Sequence, residues 1–289
     1  MTLRFCAGYD VVNSTFGNRQ DIRKVNCIYR PWYNNSMSYA FYNCYNLINV
    51  SQLNNNINNM SYAFQNCYNL VGISKFPNNV RNIVGTFQNC ENITNIPTLP
   101  TSITSMVNTF YGCSTLYNVP VIPNNVINMS GTFYGCSNIS QFISIPNRVN
   151  DISYTFCGCS NIESIDIIPS NITNMYKTFD GCTNLIGDIY IISNNITNAS
   201  NCFYNTPDEK LKDVYIYFSE NGVNTPTYNA FINAGYSDIV RVNGALLINN
   251  DDAYDIDLSD YRYEIDSNKI AHLYEYIGTK TRVDQPEVR

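Results

Sequence analysis

The stretch Cys136-Ser137-Asn138-Ile139-Ser140-Gln141-Phe142-Ile143-Ser144-Ile145-Pro146-Asn147-Arg148-Val149-Asn150-Asp151-Ile152-Ser153-Tyr154-Thr155-Phe156 runs from the cysteine of one motif to the phenylalanine of the next. The spacing recurs: Phe41, Phe64, Phe87, Phe110, Phe133, Phe156 and Phe179 stand 23 residues apart. Three residues after each comes a cysteine, at Cys44, Cys67, Cys90, Cys113, Cys136, Cys159 and Cys182. A fixed period of about 20 to 50 residues marks a solenoid, whose coils cannot bury their apolar faces alone and do so by stacking on their neighbours. Function is then expected on a surface rather than in a buried pocket.

Aligned on the phenylalanine, the coils have apolar columns at offsets −4, 0, +3, +6, +9, +12 and +16, seen in Met129, Phe133, Cys136, Ile139, Phe142, Ile145 and Val149. Neither strict alternation nor a long helical stripe fits this spacing, which turns every third or fourth residue inward all round a coil. The local expectation is short strands, turns and single helical turns. Asn128-Met129-Ser130-Gly131-Thr132-Phe133-Tyr134-Gly135-Cys136 predicts one short helix, capped by Asn128 and ended by Gly135. Pro77, Pro100, Pro123, Pro146 and Pro169 follow the +12 column, where a residue with no amide donor must turn out of any ladder.

The quoted stretch resembles the BspA-type leucine-rich repeat, a bacterial class with the pattern C-x-x-L-x-x-I-x-I-P-x-x-V-x-x-I-x-x-x-A-F-x-x-C. Seven full copies fill most of residues 36–206. Met60, Met106, Met129 and Met175 replace the pattern's isoleucine, and threonine replaces alanine before most of the phenylalanines. Both changes occur in a related Met-Phe-x-x-Cys repeat family. The resemblance implies a right-handed horseshoe or gently curved rod with a parallel ladder of short strands along one side. The expected fold is a leucine-rich-repeat solenoid of short parallel strands and short helical turns, capped at both ends, with a small α+β extension.

Four segments are expected. Residues 1–35, with Cys6, Trp32 and Tyr33, form an N-terminal cap, and 36–206 the solenoid, whose eighth copy decays at Cys202-Phe203 and lacks a cysteine near Thr206. Residues 207–248 form a closing unit, with strands at Asp213–Phe218 and Ile239–Val242 around a capped helix at Thr225–Ala234. Residues 249–289 form an acidic, tyrosine-rich extension and docking segment, with edge strands and a helix at Ser267–Tyr276.

With 17 Lys plus Arg and a net charge of −6, the chain has no basic footprint for nucleic acid or anionic lipid. No apolar run reaches the roughly 18 residues of a bilayer span. Met1-Thr2-Leu3-Arg4-Phe5-Cys6 lacks the segments of a signal peptide, so ordinary secretion is not expected. The seven column cysteines read as a reduced, buried thiol ladder, while the redox state of Cys6, Cys27, Cys157 and Cys202 stays open. Metal and cofactor sites are not expected: His272 is the sole histidine, Cys157-Gly158-Cys159 stands alone, and the carboxylates from Asp251 to Asp266 match no EF-hand loop. Catalysis is not expected either, since no nucleophile motif or phosphate loop occurs and the acids Glu163 and Asp166 lie unenclosed.

Tyr33, Tyr39, Tyr42, Tyr45, Tyr62 and Tyr68 occupy non-core columns on the first coils and their cap. Outward tyrosines offer large amphipathic contact area at low entropic cost, as binding surfaces do; equally, they can stack merely to cover the core. Tyr111 and Tyr134 extend one column toward the middle. The expectation is a non-enzymatic protein that presents a solenoid for recognition of a protein or glycan, alone or with further copies of itself. The missing signal pattern favours a phage virion part, tail-associated or receptor-binding. The alternative, which the family resemblance implies, is a bacterial surface adhesin that binds host matrix or other cells.

Overall fold

Two positions in every coil, two residues before and two after the phenylalanine, take positive φ. The later one is Asn43, Asn66, Asn89, Gly112, Gly135, Gly158, Gly181 or Asn205, from φ 56° at Asn43 to 75° at Gly181. Glycine and asparagine are the residues that enter the left-handed region at least cost. This recurrent need sets the backbone of the coil. In the computed structural model, residues 2–4, 16–26, 35–51, 53–140, 143–165, 167–206, 211–218, 225–237, 240–244, 261–265 and 271–276 are described.

The backbone N–H groups alternate in direction. Gly131, Phe133 and Gly135 donate to the next coil, at the carbonyls of Ser153 (2.8 Å), Thr155 (3.0 Å) and Cys157 (2.7 Å). Between them, Thr132, Tyr134 and Cys136 donate three residues back, to Met129 (2.9 Å), Gly131 (3.2 Å) and Phe133 (3.0 Å). An α-helix would spend every N–H on itself. Here each second one is needed between coils, so the helix expected at Asn128–Gly135 is replaced by linked turns. Asn128 still caps: its Oδ1 accepts the Ser130 N–H at 2.8 Å, closing an Asx turn.

Short parallel strands line the coils. β1 (Thr2–Arg4), β2 (Lys24–Asn26), β3 (Asn49–Ser51) and β4 (Gly72–Ile73) pair in chain order. A second column of single parallel bridges runs Ser36, Asn59, Asn82, Ser105, Asn128, Asp151, Asn174, Asn198. β5 (Gly187–Ile191), β6 (Leu211–Phe218) and β7 (Val240–Gly244) form a second parallel sheet, with α1 (Pro226–Asn233) between β6 and β7 in the chain. Thr225 caps α1 by accepting the Tyr228 N–H, and Pro226 opens it, where its missing N–H costs nothing. β8 (Tyr261–Ile265) and β9 (Ala271–Tyr276) pair antiparallel. The helix expected at Ser267–Tyr276 is thus wrong over 271–276, where a neighbouring strand supplies backbone partners that override local helix preference. The acidic run from Asp251 to Asp260 lies outside the described residues, as do Cys6, Cys27, Trp32, Tyr33, Phe142 and Asp166.

The core is a continuous column of rings. Phe41 through Phe179 stack in parallel at centroid distances of 5.6 to 5.9 Å. Phe203 extends the column at 5.7 Å, and Phe16 extends it the other way, 5.3 Å from Phe41. Phe16, Ile22 and Val25 therefore repeat the coil's apolar pattern within the first 35 residues, where Ile22 and Val25 are fully buried. At the far end Phe231 of α1 and Tyr236 close over Phe203, and the Tyr236 hydroxyl accepts the Phe203 N–H at 3.0 Å.

Polar groups inside the coil are matched rung by rung. Cys67, Cys90, Cys113, Cys136, Cys159 and Cys182 each donate Sγ–H to the carbonyl of the phenylalanine 26 residues earlier, at 3.0 to 3.1 Å. Thr86, Thr109, Thr132, Thr155 and Thr178, in place of the alanine of the repeat pattern, place buried hydroxyls on carbonyls of the preceding coil at 2.8 to 3.0 Å. A buried hydroxyl without such a partner would be costly. Among the described residues the cysteines are free thiols, and all are buried.

Candidate binding surface

The linked turns around each phenylalanine bring three non-core columns to the surface: offsets −2, +1 and +4. Tyr39 and Tyr62 fill the first, Tyr42 the second, Tyr45 and Tyr68 the third. The Tyr39 and Tyr62 rings stack at 4.9 Å and 14°, Tyr45 and Tyr68 at 5.1 Å and 22°, and Tyr42 meets Tyr39 edge-on at 6.0 Å. The ring contacts thus gather five of the six sequence-predicted tyrosines into two sets, Tyr39, Tyr42 and Tyr62 in one and Tyr45 and Tyr68 in the other; Tyr33 lies outside the described residues.

Exposure separates ring from edge. Tyr39, Tyr45 and Tyr68 are exposed, whereas Tyr42 and Tyr62 are half-buried. Tyr62 has Tyr39 against it and Gly85 beneath it, where any Cβ would run into the ring. Tyr42 covers Gly17 in the same way, and its hydroxyl accepts from Asn18 Nδ2 at 2.7 Å. With one face of each stacked ring turned on its partner, these tyrosines offer solvent their remaining surface, edges and hydroxyls included.

Tyr39 and Tyr62 also sit in the left-handed region, at φ 55° and 53°. At the same offset other coils use Gly85, Asn108 and Gly131, which enter it more cheaply. A tyrosine there costs about 1 kcal/mol of backbone energy relative to a relaxed conformation. Part of that is offset by the ring stack, worth about 0.5 to 1.5 kcal/mol.

An asparagine ladder borders the tyrosines. Asn43, Asn66 and Asn89 each donate Nδ2–H to the Oδ1 of the asparagine one coil earlier, at 2.9, 2.7 and 2.8 Å, starting from Asn18. It ends at Gly112, which has no amide to continue it. Since these amides are spent on one another, the ladder stiffens the face more than it offers donors to a ligand.

A second aromatic group, further along, goes beyond the expectation of Tyr111 and Tyr134. Those two stack at 4.3 Å and 1°; Tyr154 follows, tilted 53° to Tyr134, and Tyr176 stands perpendicular (88°) to Tyr154. Beside them Lys177 Nζ pairs with the buried Asp180 at 3.3 Å. The signal that finds Tyr154 was in the sequence: it stands at the same −2 offset as Tyr39 and Tyr62.

Among the described residues the thiols offer no reactive group at neutral pH. Burial pushes Cys67, Cys90, Cys136 and Cys159 well up, and Cys44 and Cys157 up to about 11. A protonated thiol is neither a strong nucleophile nor a metal ligand. The described residues hold no group of three His, Cys, Asp or Glu side chains placed to bind a metal ion, and no helix long and apolar enough to cross a membrane.

The coil pattern on which this surface is built matches the family model described as the BspA type leucine rich repeat region, in six copies, over residues 34–152 and 107–237. The chain belongs to this family. Among solved structures, this BspA-type chain is similar to the pneumococcal vaccine antigen PcpA, with a TM-score of 0.52 and 14% identity over 81% of this chain and 65% of that one. It is also similar to a leucine-rich cell surface protein from Faecalibacterium prausnitzii, with a TM-score of 0.47 and 18% identity over 84% and 87% of the two chains. A leucine-rich repeat protein from T. pallidum matches with a TM-score of 0.40 and 21% identity over 57% and 73%. These are likenesses of fold. No curated protein matches the chain.

Proposed function

We propose that this BspA-type solenoid is a non-enzymatic binding protein that docks a protein partner through the tyrosines of its first coils. The observation that carries this reading is the pair Tyr39 and Tyr62, held in left-handed backbone at the surface where glycine or asparagine would serve the fold at lower cost. Strain of this kind persists where a side chain is wanted for something besides folding. Edges and hydroxyls of packed tyrosines suit the mixed apolar and hydrogen-bonding surface of a polypeptide. The stretch from Ser36 to Thr206 carries few charges, so the contact depends little on electrostatic steering.

Of the two settings read from the sequence, family membership supports display on a bacterial surface, with a matrix or cell-surface protein as the partner, over a place in a phage virion. The reading has residues 36–206 as the displayed body, residues 1–35 and 207–248 as its two ends, and residues 249–289 as the segment that docks it. Immunogold electron microscopy of the native source, with antibody against the coils, tests the setting. Label on the cell envelope is expected; label on phage particles would reverse the order.

A further inference from the structure

The two tyrosine groups share one face of the solenoid but differ in how their rings meet. In the first group, Tyr39 on Tyr62 and Tyr45 on Tyr68 are near-parallel stacks, at 14° and 22°. A parallel pair hides two of its four ring faces, and the Gly85 backbone lies against Tyr62 as well. In the second group Tyr134 stacks on Tyr111 and is tilted 53° to Tyr154, but Tyr154 and Tyr176 stand at 88° with centroids 5.1 Å apart. An edge-on contact hides only one face of four. Tyr154 and Tyr176 are half-buried, so they are held in place and still reach solvent.

A polar pair stands at the rim of these open faces. Lys177 follows Tyr154 one coil on in the −2 column and acts electrostatically on both Tyr154 and Tyr176. Its ion-pair partner among the described residues is Asp180, which leaves ammonium N–H donors to spare. Asp180 is fixed in turn by Asn205 Nδ2 on its Oδ1, at 3.1 Å. Lys177 and Asp180 cancel in charge, so the rim is polar but neutral. Tyr154 and Lys177 both hold left-handed backbone, at φ 56° and 53°, in a column that glycine fills elsewhere.

We infer that the crossed rings of Tyr154 and Tyr176, with Lys177 at their edge, form a binding site for a neutral saccharide. The C–H face of a pyranose lies flat on an open aromatic face, drawn by the ring's negative quadrupole. Its hydroxyls then take the Lys177 N–H donors and the tyrosine hydroxyls. A charged glycan gains nothing from a rim with no net charge, and the first group has no lysine beside its rings. The site is separate from the protein-docking tyrosines and stands or falls independently of them.

The test is an array of neutral oligosaccharides (glucans, mannans, galactans and chito-oligosaccharides) with sulfated counterparts, probed with the full chain. The expected result is binding to at least one neutral class, weakened at least tenfold in Tyr176→Ala and in Tyr154→Asn and changed less than twofold in Tyr45→Ala. Asparagine at 154 accepts the left-handed backbone, so that variant removes the ring without adding strain. Binding to no neutral oligosaccharide, binding to sulfated ones alone, or binding that survives Tyr154→Asn and Tyr176→Ala would overturn the inference.

Discussion

The Thr206 hydroxyl donates to the Phe179 carbonyl at 2.9 Å. In each earlier coil the matching carbonyl takes a cysteine thiol, as Phe156 takes Cys182 at 3.1 Å. The cysteine missing from the eighth coil is therefore replaced by a residue that makes the same bond. What the column requires is a small buried donor.

A serine hydroxyl placed in this column would therefore be buried with a partner. The Phe87 carbonyl, 3.1 Å from Cys113 Sγ, stands ready to accept it. Cys113→Ser should cost about 1 kcal/mol, mostly for lost volume, whereas Cys113→Ala loses both volume and donor and should cost about 2 kcal/mol. Urea unfolding of the two variants checks the order, and equal losses would mean that the thiol bond contributes nothing.

The positive-φ positions make a paired prediction. A Cβ on Gly135 would meet Gly112 Cα at 3.8 Å, an ordinary contact, so Gly135→Ala should lose only the backbone term, about 1 kcal/mol. A Cβ on Gly112 would run into the Asn89 amide that ends the asparagine ladder. Gly112→Ala should therefore cost distinctly more, about 2 kcal/mol or above. Melting temperatures of the two variants decide it.

Alkaline pH should unfold the chain earlier than its tyrosines alone would suggest. Burial holds the column thiols protonated above their ordinary range. Below about pH 9 the folded and unfolded chains both keep these protons, so they add no pH dependence. Above it the unfolded chain ionises first, and stability falls as pH rises toward the folded values, about 11 at Cys44 and Cys157. The urea midpoint should be flat from pH 7 to 8.5 and drop steeply by pH 10, with replacement of two column cysteines by alanine making the drop shallower.

Much of the fold was legible because its causes repeat. The phenylalanine and cysteine columns gave the period, and Thr225-Pro226 announced α1. The turns at Asn128–Gly135 were misread because Asn128 caps and Gly135 exits in both structures; what separates them is the demand of the next coil for alternate N–H groups, which no single coil reveals. Thr206 looked like decay because a column read by residue type hides a column defined by a donor. The tyrosines of the first coils were visible as non-core columns, but the crossed geometry of Tyr154 and Tyr176 depends on ring rotamers that spacing does not encode.

The most direct test of the account compares wild type with Tyr39→Asn for binding to immobilised matrix proteins (collagen, fibronectin and laminin) by surface plasmon resonance. Asparagine relieves the left-handed strain, so the melting temperature should stay within about 3 °C, since roughly 1 kcal/mol moves a domain of this size by a few degrees. The account predicts that wild type binds at least one of these proteins and that Tyr39→Asn weakens it about tenfold or more. Equal binding by wild type and variant, or no binding by either, would contradict the tyrosine face as the docking surface.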